Sequence, residues 1–347
     1  MRAIVEYGNR RLNLEDLPTP QIKEDEVLFQ VKMAGLCMND TRDYVGQSVY
    51  TYPRVGGHEF SGVIAEVGAA VDPSRFSVGD HVVRYIIPNC GECHYCHTGR
   101  ANLCSDIYQS TTFQNPEGIS GFFGFSEFLA VKACELVKFP EGVEFTTSAM
   151  TEPVACVVHS VQHAGIELGD TVLVIGGGVM GQLHLLLAKL RGARVLVSEP
   201  DEARRNLATR LGADGALDPR SGDLPECIIA LTDGRGADIV FNTTASPQVA
   251  GEALACAGRG GKTYMFSSLH PNAPIPIDVG AIHSRETVIA GTVSPTVESF
   301  SRAVLLLAHG LLDVHPLIDS VFPLEEACEA FEHALQPATF KTMIDFS

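Results

Sequence analysis

A chain of 347 residues that is 45% hydrophobic and carries 33 glycines has room for about two globular domains of the usual ~100–200 residues, which excludes a disordered or fibrous protein. Its formal charge of −17 excludes nucleic acid or an anionic membrane surface as the main partner, because phosphate-rich surfaces need clustered Lys and Arg. The opening "MRAIVEYGNRRLNLEDLP" lacks an apolar signal core, and no stretch reaches the ~18 apolar residues of a membrane span, so a cytoplasmic location is expected.

In chain order, the first 150 residues offer "RAIVEY", "EVLFQVKMAG", "FSGVIAEVG", "GDHVVRYII" and "GFSEFLAVKA". These runs are short, rich in Val, Ile and Phe, and separated by Gly, Pro and Asp, which predicts a β-rich barrel or sandwich. No helical period of useful length is visible there.

Within that half lies "NCGECHYCHTGRANLC", with Cys90, Cys93, Cys96 and Cys104 in a C-x2-C-x2-C-x7-C pattern. Structural disulfides are rare in a reducing compartment, so four crowded thiols predict a closed four-thiolate metal site, with an iron–sulfur cluster as the competing reading. Zn²⁺ accepts four thiolates tetrahedrally without redox chemistry, and Gly91 and Gly99 would let the backbone wrap the ion. Such a site has no open position, so it shapes a loop and catalyses nothing. His94 and His97 are read as surface residues of this lobe.

The second half changes character at "TVLVIGGGVMGQLHLLLAKLRGARVLVSEP". Val172 to Ile175 reads as a buried parallel strand, followed by G-x-G-x-x-G at Gly176, Gly178 and Gly181, with Val179 and Met180 opening a helix that ends near Arg191. A second strand, Val195 to Val197, runs into Glu199. The glycines let a helix N-terminus approach a pyrophosphate, and an acid about twenty residues on accepts from ribose hydroxyls. A carboxylate at Glu199 would repel a 2′-phosphate and favours NAD over NADP, although Arg204 and Arg205 could swing towards a phosphate. Strands at "GADIVFNTTAS", "GKTYMFSSL" and "ETVIAGTV" alternate with helix-like stretches such as "PQVAGEALACAG", as a doubly wound parallel sheet requires.

Cys37 in "GLCMND", His58 and Glu59 in "GGHEFSG" and Glu152 in "TEPVAC" form a second candidate metal set. Singly each is weak, since a lone buried Cys or His is usually packed core. The motifs "GGHEFSGVIAEVG", "CGECHYCHTGRANLC", "EPVACVVHSV" and "VLVIGGGVMG" occur in the order seen in zinc-dependent medium-chain dehydrogenases, and the chain most resembles the sorbitol and threonine dehydrogenase branch along nearly its whole length. The resemblance implies a GroES-like catalytic domain over residues 1–155, with the structural zinc lobe at about 89–105. It further implies a Rossmann coenzyme domain over 156–293 and a segment over 294–347 that returns to the catalytic domain.

On the same resemblance a catalytic zinc would be held by Cys37, His58 and Glu59, with Glu152 as fourth ligand or partner of zinc-bound water, giving two zincs per subunit. Asp40 would orient His58 by its other ring nitrogen. His159 matches a family position and is read as packing. The implied activity is reversible hydride transfer between a secondary alcohol and NAD, with a polyol as first choice of substrate.

Two departures stand out. The family usually has Ser or Thr two residues after the cysteine ligand and often a histidine five residues after it, whereas this chain has Asn39 and Arg42. An amide does not relay a proton, so release is expected through water, Glu152, Thr41 or Tyr44. Alternatively, the enzyme is a reductase of the same fold with a non-alcohol substrate. Arg42, Tyr44, Gln47, Tyr50 and Arg54 are candidates for a polar pocket, with Arg42 suited to an anionic group such as the phosphate of a sugar alcohol. A homo-oligomer, tetramer or dimer, is expected from the branch. Cys134, Cys156, Cys227, Cys256 and Cys328 are read as small buried hydrophobes.

Overall fold

The computed structural model describes residues 1–47, 50–106, 115, 117–269 and 272–347. The chain forms two compact units, Met1–Ala155 with Pro295–Ser347, and Cys156–Ser294.

The first unit is built on a seven-stranded sheet. Its order is Ile318–Pro323, Lys341–Asp345, Glu26–Gly35, Glu59–Val67, His81–Arg84 and Leu136–Lys138, with Phe128–Lys132 also pairing Glu26–Gly35. The central strand "EVLFQVKMAG" is buried along almost its entire length, because it packs on both faces and therefore needs no polar alternation. Two strands from the last thirty residues complete this sheet, and Met343, Ile344 and Asp345 pair antiparallel with Gly35, Ala34 and Met33. A smaller four-stranded sheet runs Arg11–Asp16, Arg2–Gly8, Arg54–Val55 and Ser120–Gly121.

The β-rich half also contains helices that its pattern does not reveal. Met38–Tyr44 is a seven-residue helix whose N-cap is Cys37 in an extended conformation, and the Asp40 carboxylate accepts the Cys37 N–H at 2.8 Å. Two turns are too short for a 3.6-residue apolar period to register, so here the capping chemistry sets the structure.

The second unit is a six-stranded sheet in the order Gly215–Leu217, Arg194–Ser198, Thr171–Ile175, Ala237–Asn242, Ala257–Met265 and Val288–Gly291. All its pairings are parallel. Numbered along the chain this is 3-2-1-4-5-6, the doubly wound order in which ligands bind at the carboxyl ends of the strands where the order reverses. Thr171–Ile175 sits at that reversal, between Arg194–Ser198 and Ala237–Asn242, and all five of its residues are buried. Cys256 belongs to the core of this unit with Leu173, Leu196 and Val240. Cys134 and Cys328, by contrast, are exposed, which corrects the expectation that every scattered cysteine is buried.

Candidate active site

In the first unit the four-cysteine run closes on itself. The sulfurs of Cys90 and Cys104 lie 3.6 Å apart, Cys93 and Cys96 3.6 Å, Cys90 and Cys96 3.9 Å, and Cys93 and Cys104 3.9 Å. A tetrahedron of thiolates at a Zn–S distance of ~2.3 Å has edges of about 3.8 Å, so a single tetrahedral ion fits. A disulfide, at ~2.05 Å, does not. Gly91 and Gly99 adopt φ of 73° and 75°, the left-handed conformation that lets the chain double back. Backbone N–H groups of Cys93 and Glu92 donate to the Cys90 sulfur at 3.3 and 3.4 Å, and that of Cys90 to the Cys104 sulfur at 3.3 Å, as anionic thiolates would demand.

Cys37, His58 and Glu59 are brought together although 21 residues separate the first two. One ligand atom from each lies within 4.8 Å of the others. Cys37 caps the helix Met38–Tyr44, and Glu59 begins the strand Glu59–Val67, with His58 in the turn before it. Asp40 ties the two loops. Its carboxylate accepts the N–H of Cys37 at 2.8 Å and that of Gly57 at 3.4 Å, and it faces His58 Nδ1 at 3.5 Å. That contact leaves Nε2 of His58 as the ligating nitrogen.

Burial opposes charge on Asp40, but His58 and the Cys37 N–H outweigh it and hold the acid below its usual range. Burial likewise opposes the imidazolium of His58, yet Asp40 and Cys37 raise its pKa well above normal. The thiol of Cys37, the imidazole of His58 and the carboxylate of Glu59, deprotonated as ligands, are three donors that suit zinc with an open coordination position.

One member of this constellation escapes sequence reasoning. Lys341, in the last strand, is buried and donates to Leu36 O at 3.1 Å and to the Glu59 carboxylate. Burial lowers its pKa, but Glu59 and Cys37 more than compensate and Glu152 adds to them, so it stays an ammonium ion. A lysine inside the apolar run "FKTMIDF" was the available signal. Glu152 lies in the first turn of the helix Thr151–Ala164 and is not part of the three-ligand cluster, although its charge reaches Lys341.

Several expected pocket and relay residues are committed elsewhere. The Thr41 hydroxyl is buried and donates to Met38 O at 3.0 Å. Tyr44 donates to Glu332 at 2.9 Å, and burial together with that carboxylate pushes its pKa up to about 12. In this arrangement the hydroxyl proton of each is already donated within the protein. Arg54 is buried, pairs with Asp43 at 2.8 Å and lies 4.1 Å from the Tyr50 ring centroid. Asn39 is exposed, Gln47 is exposed, and Arg42 is half-buried.

In the second unit Gly176 has φ of 103°, and Gly178 is the N-cap of the helix Val179–Leu190, so Val179 and Met180 form its first turn. A Cβ at Gly181 would lie 1.8 Å from Gly176 O, so glycine is required for the strand and helix to approach. This is the geometry that leaves backbone N–H groups for a pyrophosphate. Glu199 is buried and accepts the N–H of Gly177 at 2.6 Å and of Asp201 at 2.9 Å. Arg205 donates to Glu199 O and Pro200 O, whereas an amino nitrogen of Arg204 lies 3.8 Å from where a Gly178 Cβ would be. Arg204 therefore faces the glycine loop and Arg205 does not.

Residues 23–141 match the alcohol dehydrogenase GroES-like domain, and residues 179–309 match the zinc-binding dehydrogenase domain. The chain is 31% identical to sorbitol dehydrogenase of Bacillus subtilis (strain 168), covering 97% of this chain and 94% of that one. It is 32% identical to D-arabitol-phosphate dehydrogenase of Enterococcus avium, over 97% and 95% of the two chains. A zinc-binding dehydrogenase from Sinorhizobium meliloti 1021, solved with NADP, superposes with a TM-score of 0.90 at 27% identity, over 99% of this chain and 98% of that one. The chain belongs to the zinc-dependent medium-chain dehydrogenases, in their sorbitol and threonine dehydrogenase-like branch.

Proposed function

We propose that this protein is an NAD-dependent dehydrogenase that reversibly oxidises a secondary alcohol of a polyol, sugar alcohol or sugar-alcohol phosphate, and that it holds two zinc ions per subunit. The observation that carries the reading is the convergence of Cys37, His58 and Glu59, braced by Asp40 and Lys341. Zinc bound there supplies a Lewis acid that lowers the pKa of a substrate hydroxyl, and NAD supplies the hydride acceptor.

The chain's own residues do the rest. Asp40 fixes the ring of His58, and Lys341 fixes the carboxylate of Glu59, which keeps the donor set in one geometry. With Thr41 and Tyr44 engaged and Asn39 an amide, Glu152 and water carry the substrate proton. Gly176 to Gly181 receive the pyrophosphate, and Glu199 accepts from the adenosine ribose, its carboxylate having acceptor sites beyond the two backbone bonds it makes. The Glu199 charge favours NAD. Arg204 beside the same loop is the feature that would admit NADP.

Arg42 supports the phosphate end of the substrate range: it is half-buried in the last turn of the helix Met38–Tyr44 and has no ion pair among the described residues. The strand Val288–Gly291 closes one edge of its sheet, with Ile277, Val279 and Val288 exposed nearby, which supports assembly into a homo-oligomer through that edge. No described helix is long and apolar enough to cross a membrane, and we place the enzyme in the cytoplasm.

The test is NADH formation by zinc-loaded protein against polyols, sugar-alcohol phosphates, hydroxy sulfonates and amino alcohols, with NADP in parallel. Turnover of a polyol or its phosphate with NAD is expected. Reaction confined to amino alcohols or to NADP contradicts the proposal.

A further inference from the structure

The segment that carries Cys37 and the segment that carries His58 are joined at two points. Asp40 and Asp43 stand at positions i and i+3 of the helix Met38–Tyr44, so both carboxylates leave one face of it, and both are buried. The first joint is Asp40, which accepts the N–H groups of Cys37 and Gly57 and faces His58. The second is an ion pair. Arg54 Nη1 lies 2.8 Å from the Asp43 carboxylate, and the two side chains are only 3% and 4% exposed, so the pair is shielded from solvent. The Tyr52 hydroxyl adds a bond to Asp43 O at 2.5 Å.

Arg54 is itself held in place. It pairs antiparallel with Glu6 and parallel with Ser120 in the four-stranded sheet, and its guanidinium carbon sits 4.1 Å from the Tyr50 ring centroid. Glu6 is buried beside it, but burial and then Asp40 raise the pKa of Glu6 well above the ordinary carboxylate value, which favours the neutral acid. Asp43 is therefore the carboxylate that answers the Arg54 charge.

A seven-residue helix has too few internal hydrogen bonds to hold itself in place, so its orientation comes from what it is fastened to. One attachment would leave it free to pivot. Two attachments about 4.5 Å apart along the axis, at ~1.5 Å per residue, fix its direction. Cys37 is the N-cap, so that direction sets where its sulfur stands relative to His58, which follows shortly after Arg54 in the chain. For the fold alone, two apolar side chains of similar volume would serve at least as well as a buried charge pair. What the pair adds is a short, directed link between the two segments.

We propose that Asp43 and Arg54 are positioning residues for the catalytic metal: their ion pair holds the helix Met38–Tyr44 at a fixed angle to the His58 segment, so that the Cys37 sulfur and the His58 imidazole meet one ion. The inference rests on the metal centre at Cys37, His58 and Glu59 and on no choice of substrate.

The experiment follows zinc release to a chromogenic chelator from the full-length, zinc-loaded protein, with thermal unfolding measured alongside, in Asp43→Leu, Arg54→Met and the double variant. Each single variant strands a buried charge and should lower Tm, whereas the double variant has none to strand and should regain much of it. The four-cysteine zinc is the internal control. In the double variant the other zinc is expected to leave about tenfold faster than in the wild type while the four-cysteine zinc stays, a separation that a purely structural pair would not produce. Wild-type retention of both zincs in the double variant would overturn the proposal, as would loss of both at matching rates. Release of only one zinc from the wild type would contradict the metal centre itself, and the proposal with it.

Discussion

Lys341 donates to the carboxylate of Glu59 across 282 positions of sequence, so the last strand of the chain reaches back into the cluster that gathers around Cys37. Both side chains are buried, which makes the pair costly to break from one side because the other charge would be left unpaired. Lys341→Met should lower zinc affinity and kcat/KM by about 10–100-fold, with Lys341→Arg retaining part of both. Zinc content after dialysis and kcat/KM check this. Full zinc retention in the methionine variant would show that Glu59 needs no brace.

Asn39 follows Cys37 by two residues, and it is exposed. Asn39→Ser should keep the zinc and alter the pH dependence of kcat/KM, since a hydroxyl can pass a proton that an amide cannot. An unchanged pH profile would remove position 39 from the proton path.

The sequence made some of this arrangement visible and concealed the rest for physical reasons. Cys90 to Cys104 and Gly176 to Gly181 are local motifs, each set by a single loop, and their spacing alone carries the geometry. Cys37 lies in one loop and His58 with Glu59 in another, so only the family resemblance could join them. The commitments of Tyr44 to Glu332 and of Glu59 to Lys341 span 288 and 282 residues and leave no local periodicity. The helix Met38–Tyr44 stayed hidden because two turns contain too little pattern.

Gly181 supports a prediction about the coenzyme loop. A Cβ there would collide with backbone oxygen at 1.8 Å, which no side-chain rotation can relieve. Gly181→Ala should displace the loop and weaken NADH binding by about 100-fold, the scale of a misplacement near 1 Å, while zinc content is unchanged. Fluorescence titration of NADH measures this, and wild-type affinity would contradict the assignment of the loop.

His315 should make stability pH-dependent. Its Nδ1 lies 3.0 Å from Asp313 and its Nε2 3.1 Å from Glu144, at the start of the helix Phe145–Ala149. Bonds to Asp313 and then Glu144 raise its pKa above the ordinary 6.5. A raised folded pKa means the stabilisation is fully present below about pH 6.5 and is lost as pH climbs through the folded value. The side chain is 57% exposed, so the effect is small and screened by salt. Tm should fall more steeply across that window for the wild type than for His315→Gln. Parallel curves would assign the pair no energetic role.

The most direct test of the central claim compares the rate of NADH formation, with the substrate found active, for the wild type, chelator-stripped protein, zinc-reloaded protein and Cys37→Ser. If Cys37, His58 and Glu59 hold the ion that activates the alcohol, stripping abolishes turnover, zinc restores it to the wild type, and Cys37→Ser stays inactive after reloading while still binding NADH. Turnover by Cys37→Ser at the wild-type rate would contradict the account.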